Sequence, residues 1–363
     1  MKPLNRACLR YLPLLALALA GCGHVSVLEL SPPEVLQAPA LAQPAWFSLS
    51  AGTQAPCLAY VDPQTSALVL ADLEGAARPA YVDRVTDLPE QDPLLGAHLL
   101  FADGGFLHLL YLDRQSEDSR LLKHLTRPAE QASLIDVLPV TGKPVAAFVL
   151  ADGALDLFLE RDGALYREGP LGSGALVQAP FEAAGPASRI VGQNTRGFTV
   201  YDSSSRRLLL FLDGAGQAYT IARFGEAQDC LLAADGRLQA AAYDPRTSRL
   251  VLFETANPGD GFSVQPVTLS RDTTALAVVD FGGRPGFLFN ETAPRGDRRH
   301  LVSLLYPSAG AGAPYAKAIL HRSTRPASGL RAVQRWRYLY VAFFEEEVRV
   351  LRVDVAQLEG RRE

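Results

Sequence analysis

Acidic residues recur along the chain at intervals of roughly 40 to 55 residues, each at a turn between two apolar runs. Carboxylates that share one face of a protein could bind cations or a basic partner. These acids would share a face if each one ends the second strand of its repeat. A structural role is the alternative, because Asp is favoured in tight turns, where its side chain bonds its own backbone. The candidate residues are Asp62, Asp103, Asp152, Asp202, Asp244, Glu291 and Glu345.

Basic residues in or beside the same loops would partly neutralise this acidic face. The densest acidic run, 345–347, likewise follows a strand with three arginines. Opposite charges on neighbouring strands usually form solvated ion pairs worth under about 1 kcal/mol. We therefore expect a candidate binding face of mixed charge. The basic residues in these loops are Arg206, Arg246, Arg295, Arg298 and Arg299.

The other chemistry-bearing residues indicate neither a metal site nor a nucleophilic site. The six histidines lack the close spacing to Cys or carboxylates that zinc sites show. His98 and His108 flank one predicted turn and could approach each other, but surface or packing roles are favoured over a pair of metal ligands. No Gly-x-Ser-x-Gly elbow is present, and a pair of carboxylates for glycoside hydrolysis cannot be singled out among so many turn acids. We expect no metal and no cofactor.

The first 21 residues have the form of an export signal. Three basic residues precede an apolar run over 12–20, which is shorter than the roughly 20 residues that a membrane-spanning helix needs. The run ends in Leu19-Ala20-Gly21-Cys22, which resembles the lipobox of bacterial lipoproteins. The resemblance implies cleavage before Cys22 and a lipid on its sulfur. An ordinary signal peptide with a chance cysteine is the alternative.

Lipidation of Cys22 would hold the exported protein on a membrane, because each buried CH₂ contributes about 0.8 kcal/mol and several acyl chains act together. The next residues, Gly23 and His24, include no Asp that would resemble an inner-membrane retention signal. In a cell with two membranes, this favours the outer one. The remaining cysteines of the mature chain, Cys57 and Cys230, are expected to be buried free thiols, with a disulfide between them as the alternative.

Charge argues against a nucleic-acid partner. The formal net charge is −4 for the whole chain and becomes −7 when the three basic residues of the signal leave. Nucleic-acid binding needs clustered positive charge. Hydrophobic residues make up 48% of the chain, so a large core can be buried.

An internal repeat predicts the fold. The segment 59–70 recurs at 242–252 with one residue dropped, and each copy reads as an apolar run, an acidic turn and a second apolar run, which predicts a β-hairpin. The runs are short and rich in Val, Phe and Tyr, which disfavours helices. Seven such hairpins are predicted, at 59–70, 99–112, 146–159, 198–212, 242–252, 286–305 and 338–353.

Further apolar runs on either side of the hairpins, such as 133–140 before one and 217–224 after another, bring each unit to four strands. Four antiparallel strands in a repeat of this length predict an all-β chain, a seven-bladed β-propeller, with six blades as the rival count. The last unit ends after its third strand, near Val355. We expect Val25–Leu30 to pair with it and close the ring. The predicted organisation is a signal at 1–21, an anchor, closing strand and Pro-rich linker at 22–44, and a propeller at 45–363.

The pattern Tyr-x-Asp-Pro-x-Thr-Ser-x-Leu-x-Leu at 60–70 resembles the repeats of bacterial surface propellers, including sialidase-like ones that keep the scaffold without the activity. The Ser-x-Asp-x-Gly-x-x-Trp boxes of sialidases are missing from this chain. The resemblance and the anchor together imply a non-catalytic envelope lipoprotein that binds or scaffolds a protein or a glycan. An envelope glycan hydrolase is the alternative.

Overall fold

The structure is a computed structural model, and it describes the strands and part of the connections between them. The predicted signal at 1–21 and the predicted lipidation site Cys22 lie outside the described residues. The described ranges are 27–28, 33–36, 47–62, 65, 67–74, 80–84, 98–103, 105–116, 119–128, 134–138, 142–149, 155–161, 164–168, 176–178, 189–194, 197–202, 207–212, 218–222, 228–232, 238–244, 247–269, 273, 275–281, 284–293, 299–308 and 315–358.

The described strands form seven sheets, numbered here in chain order, and neighbouring strands within each four-strand repeat are antiparallel. Sheet 1 consists of Phe47–Ser50, Cys57–Asp62, Ala67–Asp72 and Ala80–Arg84. Sheet 2 consists of His98–Asp103, Phe106–Ser116, Ser119–Pro128 and Leu134–Leu138. Sheet 3 consists of Lys143–Val149, Leu155–Arg161, Ala164–Glu168 and Leu176–Gln178. Sheet 4 consists of Arg189–Asn194, Gly197–Asp202, Arg207–Leu212 and Ala218–Ala222.

The last three sheets follow the same order. Sheet 5 consists of Gln228–Leu232, Leu238–Asp244, Arg249–Thr255 and Ser263–Leu269. Sheet 6 consists of Ala275–Asp280, Pro285–Thr292, His300–Pro307 and Tyr315–Ser323, with Val27–Leu28 as a fifth strand. Sheet 7 consists of Ser328–Arg335, Tyr338–Phe344, Val348–Asp354 and, as its fourth strand, Glu34–Leu36.

Helix is almost absent from the described residues. It is limited to one 3-10 turn, Pro258–Asp260, and one α-helical turn, Val355–Leu358. None of the helices described is long and apolar enough to span a bilayer. The prediction of an all-β chain with four-stranded antiparallel sheets is therefore confirmed.

Each sheet is a meander, so its two ends differ. We call the end where the first and second strands are joined the first-turn end, and the end where the second and third strands are joined the second-turn end. Because the strands are antiparallel, these two turns lie at opposite ends of the same sheet.

Neighbouring sheets pack face to face through apolar side chains, and the innermost contacts run between the first strands of successive sheets. Six pairs of sheets each share an apolar cluster of described residues. Representative members are Val61 and Leu107 for sheets 1 and 2, Leu110 and Leu157 for sheets 2 and 3, Leu210 and Ala240 for sheets 4 and 5, Leu252 and Phe287 for sheets 5 and 6, Leu288 and Val341 for sheets 6 and 7, and Phe47 and Tyr340 for sheets 1 and 7.

Sheet 7 is also tied to sheet 1 by polar contacts. Arg335 donates from Nη1 to the carbonyl oxygens of Ala51 and Gly52, each at 2.9 Å, and from Nη2 to that of Thr53 at 2.6 Å. The Tyr340 hydroxyl donates to Glu74. The end and the beginning of the repeat array therefore meet through both apolar and polar side chains.

The N-terminal pairing differs from the prediction. Val25–Leu30 was expected on the last repeat, but Val27–Leu28 pairs in parallel with the fourth strand of sheet 6, where Val27 lies opposite Lys317. The strand that completes sheet 7 is Glu34–Leu36, inside the segment predicted to be a linker. Glu34 forms an ion pair with Arg352, and Leu36 packs against the cluster between sheets 1 and 7. These tertiary contacts determine that Glu34–Leu36 pairs with sheet 7. The Pro-rich composition of the segment gave no sign of this strand.

A second difference concerns which strands the predicted hairpins of sheets 2 and 3 join; we call this the phase of a hairpin within its sheet. Their predicted hairpins, 99–112 and 146–159, join the first and second strands, whereas those of the other sheets join the second and third. The run 133–140, expected to precede the third hairpin in its own unit, contains instead the fourth strand of sheet 2. Both hairpins of a meander are two apolar runs around a tight turn, so turn chemistry does not distinguish them.

Candidate binding face

Five of the seven candidate acids lie at or near the second-turn end of their sheets. Asp62, Asp202 and Asp244 end second strands, Glu291 is the next-to-last residue of one, and Glu345 follows one directly.

Of the other two acids, one lies at the opposite end and one is not described. Asp103 ends the first strand of sheet 2, at the first-turn end. Asp152 lies outside the described residues, between the first strand Lys143–Val149 and the second strand Leu155–Arg161 of sheet 3. The condition for a shared face, that each acid ends a second strand, therefore fails for sheets 2 and 3. The cause is the phase difference described above.

Two of the acids organise their own turns. In sheet 1, Thr65 donates from Oγ1 to Asp62 Oδ2 at 2.7 Å, and in sheet 5 Thr247 donates from Oγ1 to Asp244 Oδ2 at 2.9 Å. The repeated Asp-Pro-x-Thr sequence therefore makes the same side-chain bond twice. This geometry supports the turn-forming role of these two acids.

Glu291 is buried, and Asn290 beside it is too. The turn was expected at these two residues, but both lie within the strand Pro285–Thr292. Glu291 Oε1 accepts a hydrogen bond from Ser303 Oγ at 2.6 Å and forms an ion pair with Lys317, whose ammonium lies over the Phe289 ring. The carboxylate is held between strands and is not presented to solvent.

Glu345 joins sheet 7 to sheet 6. Its side chain is only 6% exposed. It forms an ion pair with Arg349 Nε at 3.1 Å, and its Oε1 lies 3.1 Å from His321 Nε2. The His321 ring packs against Phe343, with 5.3 Å between ring centroids. Because His321 belongs to the fourth strand of sheet 6, this cluster holds the second turn of sheet 7 against the neighbouring sheet.

The charges next to this cluster are exposed. Arg325 Nη2 lies 2.5 Å from Glu346 Oε1, and each of these side chains is 62% exposed. Arg349 also reaches Glu347, at 3.5 Å. The described part of this face therefore presents both signs of charge, in agreement with the expected mixture. Of the five arginines expected there, Arg299 is exposed, and the other four lie outside the described residues.

Sequence reasoning missed a polar cluster between sheets 1 and 2. The Cys57 thiol donates to Asp72 Oδ1 at 2.7 Å, and Arg127 Nη2 donates to both Cys57 Sγ, at 3.0 Å, and Asp72 Oδ1, at 2.8 Å. Burial and then the hydrogen bond to Asp72 raise the pKa of the Cys57 thiol to about 12. Cys57 is a buried free thiol, as predicted. The side chain of Cys230 is not among those described.

A second missed cluster is centred on Lys123. Its Nζ lies 2.6 Å from Asp83 Oδ2 and 2.6 Å from Asp113 Oδ2, and the Tyr111 hydroxyl donates to Asp83 at 2.8 Å. Burial alone would lower the pKa of Lys123, but the two carboxylates raise it above its ordinary value. Lys123 and Asp83 lie 40 residues apart in the chain, so no spacing pattern predicts their contact. The only sequence signal was the presence of charged residues within apolar strands.

The histidines of sheet 2 make polar and packing contacts. His98 Nε2 lies 3.2 Å from the carbonyl oxygen of Ala59, and His108 Nδ1 instead lies 3.0 Å from His124 Nε2. His108 also stacks on Phe101. Burial, and then the neighbouring His108, lower the pKa of His124 to about 4. Among the described residues, no group of three or more His, Cys, Asp or Glu side chains could hold a metal ion.

Comparison with known proteins supports the fold. The chain matches no protein-family model and no curated protein by sequence. It is similar to the structure of virginiamycin B lyase from Staphylococcus aureus, with a TM-score of 0.52, 10% identity, and coverage of 88% of this chain and 99% of that one. It is also similar to YCF48 bound to a D1 peptide, with a TM-score of 0.52, 12% identity, and coverage of 91% and 99%.

A third similar structure is that of a prolyl endopeptidase, with a TM-score of 0.51 and 13% identity; the match covers 89% of this chain and 50% of that one. At these identities the likeness shows the fold alone. The all-β chain of four-stranded antiparallel sheets is β-propeller-like. The neighbours include a lyase, a peptide-bound protein and a peptidase, and this variety fits the rule that one fold carries many functions.

Proposed function

We propose that this chain is an exported lipoprotein, acylated at Cys22, whose body is a closed seven-bladed β-propeller that binds a protein or a glycan of the cell envelope without catalysis. Its localisation is the outer membrane where the cell has two membranes. The ligand contacts the exposed charges at the second-turn end.

Ring closure is supported by the contacts between sheets 7 and 1. The first strand of sheet 7 touches that of sheet 1, a shared apolar cluster lies between them, and Arg335 donates to three carbonyls of residues 51–53. The outer strand of sheet 7 comes from Glu34–Leu36, before sheet 1 in the chain. Sheet 7 thus combines strands from before sheet 1 and from after sheet 6, as a closed ring would require.

The observation that carries binding over catalysis is the state of the carboxylates at the second-turn end. Glu291 and Glu345 are buried and each is engaged by a cation, while Asp62 and Asp244 hold their own turns. Glycoside hydrolysis requires two carboxyl groups on either side of a substrate. The described acids instead fix the framework, and the exposed Arg325, Glu346 and Glu347 are available for contact with a ligand.

Site-specific photocrosslinking tests the binding face. A photoreactive residue at Glu346, at the second-turn end, is compared with one at Val264, which is also exposed but lies on the outer strand of sheet 5. We expect a reproducible adduct in envelopes only at position 346, reduced by Arg325→Glu. Equal or absent adducts at both positions would count against this face.

Two further assays separate the parts of the proposal. Incubation with peptidoglycan fragments and sialylated glycans is expected to generate no new reducing ends; catalytic release of sugars would instead favour the hydrolase. Incorporation of radiolabelled palmitate is expected in the wild type and lost in Cys22→Ala. Labelling that persists in Cys22→Ala would contradict the anchor.

A further inference from the structure

One aromatic side chain is unusually exposed. Trp336 is 72% exposed and occupies the two-residue turn between the first and second strands of sheet 7. Its φ is +51°, a left-handed value that two-residue hairpin turns often require but that bulky side chains rarely adopt. A polar residue or glycine would suit such a turn in water, and Trp336 is the most exposed of the large apolar side chains described.

The neighbouring arginines hold this turn in place. Arg335 is bound to the carbonyls of residues 51–53 and lies 4.8 Å from the Trp336 ring centroid. Arg337 forms an ion pair with Asp354 and lies 5.2 Å from the ring centroid of Tyr338. The indole is therefore presented outward from a fixed base at the first-turn end.

The N-terminal segment approaches sheet 6 from the same end. Val27 lies opposite Lys317, near the start of the fourth strand Tyr315–Ser323, and the two strands run in parallel. In an antiparallel meander the fourth strand starts at the first-turn end. The described strand Val27–Leu28 therefore starts towards that end of sheet 6, with Val27 nearer to it than Leu28.

Contacts between sheets 6 and 7 show that their corresponding ends lie side by side. Glu345, in the second turn of sheet 7, pairs with His321, near the end of the fourth strand of sheet 6. The side chain of Asn290, near the second-turn end of sheet 6, accepts a hydrogen bond at 3.1 Å from the backbone N–H of Ala327, just before the first strand of sheet 7. The first-turn ends of both sheets therefore face the same direction.

We propose that the first-turn end of sheets 6 and 7 faces the bilayer and that Trp336 lies in its headgroup region. This rests on the proposed lipid at Cys22. The five residue steps from Cys22 to Val27 span at most about 17 Å, so the edge of sheet 6 must stay close to the lipid surface. The occupant of the exposed first-turn surface is thus the phospholipid leaflet into which the anchor inserts.

The chemistry of the two ends agrees with this orientation. Tryptophan favours the membrane interface because its ring is apolar and its N–H is polar, and arginine stems extend along apolar surface while their charges stay in water. The opposite end exposes Glu346 and Glu347 beside Arg325 and Arg349, so its described charges are mixed. The proposed binding face consequently points away from the membrane.

Quenching of tryptophan fluorescence by lipid tests the orientation. The lipidated protein with Trp46→Phe, in which Trp336 is the only tryptophan, is placed in phosphatidylethanolamine and phosphatidylglycerol vesicles with or without brominated acyl chains. We expect a blue shift and a loss of Trp336 emission in the brominated vesicles. The matched control, Trp46→Phe/Trp336→Phe/Glu346→Trp, carries its indole at the opposite end and should remain unquenched.

An unquenched Trp336 would overturn the orientation and leave a protein as the partner to test. Equal quenching at positions 336 and 346 would also overturn it. Flotation with the vesicles reports separately on the anchor. If the protein does not float, the anchor proposal fails, and the same quenching comparison is made with a hexahistidine tag in place of residues 1–22, bound to a nickel-chelating lipid. Quenching at 336 alone would then still support the orientation.

Discussion

At the first-turn end, polar side chains connect neighbouring sheets, whereas at the second-turn end many of them bond within their own turn or face solvent. Arg335 and Arg127 each bridge from one sheet to the next and are at least half-buried or bound to backbone. Asp62 and Asp244 bond only one turn hydroxyl each among the bonds described above, and Arg325 and Glu346 are mostly exposed. Three contacts are exceptions, since they join sheets near the second-turn end. Glu345 and Asn290 each link sheet 6 to sheet 7, and Lys123 of sheet 2 pairs with Asp83 of sheet 1.

In our proposal, residues that stabilise the packing of the sheets concentrate at one end, and residues that contact a ligand concentrate at the other. Contacts between sheets hold neighbouring sheets together, so replacing residues that make them is expected to lower stability. Exposed ion pairs contribute little to stability and can change partners when a ligand arrives. Under the proposed function, one end would serve as a rigid base directed to the membrane and the other as the surface for binding.

The largest expected effect comes from Gly52→Ala at the first-turn end. Gly52 has φ +64°, and an added Cβ would lie 1.8 Å from the Ala55 carbonyl oxygen, so the loop that Arg335 binds must shift. We expect a loss of about 3 kcal/mol or more in the unfolding free energy measured in urea. The matched control is Gly105→Ala, with φ +84° but nothing within 4 Å of the added Cβ, which should cost about 1 kcal/mol. Equal losses would refute the steric account.

The next effect concerns pH and the pair His108 and His124. The pKa of His124 is lowered from 6.5 to about 4 on folding, so between these pH values the unfolded chain binds more protons than the folded one. Stability should therefore fall as the pH drops from about 6.5 to 4, by up to about 3 kcal/mol. Urea unfolding across this range measures the slope. His124→Gln should flatten it, and an unchanged slope would assign the dependence to other groups.

A smaller effect is expected from Glu345→Gln at the second-turn end. The substitution keeps the shape of the side chain but removes the charge that pairs with His321 and Arg349. Because the carboxylate is buried and its partners are only partly so, we expect a loss of about 1 to 2 kcal/mol by thermal or urea unfolding. Glu347→Gln, at an exposed neighbouring position, provides the comparison and should change stability by less than about 0.5 kcal/mol.

The smallest effect is expected for the exposed pair of Arg325 and Glu346. A double-mutant cycle with alanine at both positions should give a coupling of under about 0.5 kcal/mol, since both side chains are 62% exposed. The same variants should weaken the crosslink at the second-turn end. A coupling above about 1 kcal/mol would show that this pair stabilises the fold, and it would contradict the proposed difference between the two ends.

The hairpins were predictable because their signals are local. The apolar runs of 59–70 and 242–252 and their Asp-Pro-x-Thr turns form the same paired strands and the same threonine-to-aspartate bond in the structure. The phase of sheets 2 and 3 was not predictable from turns, because the first and second turns of a meander have similar chemistry. Two candidate acids were consequently assigned to the wrong end or left without a described position.

The closing strand and the polar clusters required long-range contacts. Glu34–Leu36 resembles a linker in sequence, and only its pairing with Val348–Asp354 makes it a strand. Cys57, Asp72 and Arg127 are separated by up to 70 residues, so no spacing rule connects them. Likewise, the exposure of Trp336 and the end of the molecule on which it lies follow from the topology of sheet 7.

The sequence by itself determined the strand-and-turn repeat, the apolar surface available for a core and the lipobox-like segment that predicts an anchor, because each depends on residues close together in the chain. The tertiary structure decided which strands share a sheet, which acids are buried with cations and which end carries the exposed tryptophan. The physical reason is that β-sheet pairing and burial depend on partners far apart in sequence, whose proximity exists only after the sheets have packed.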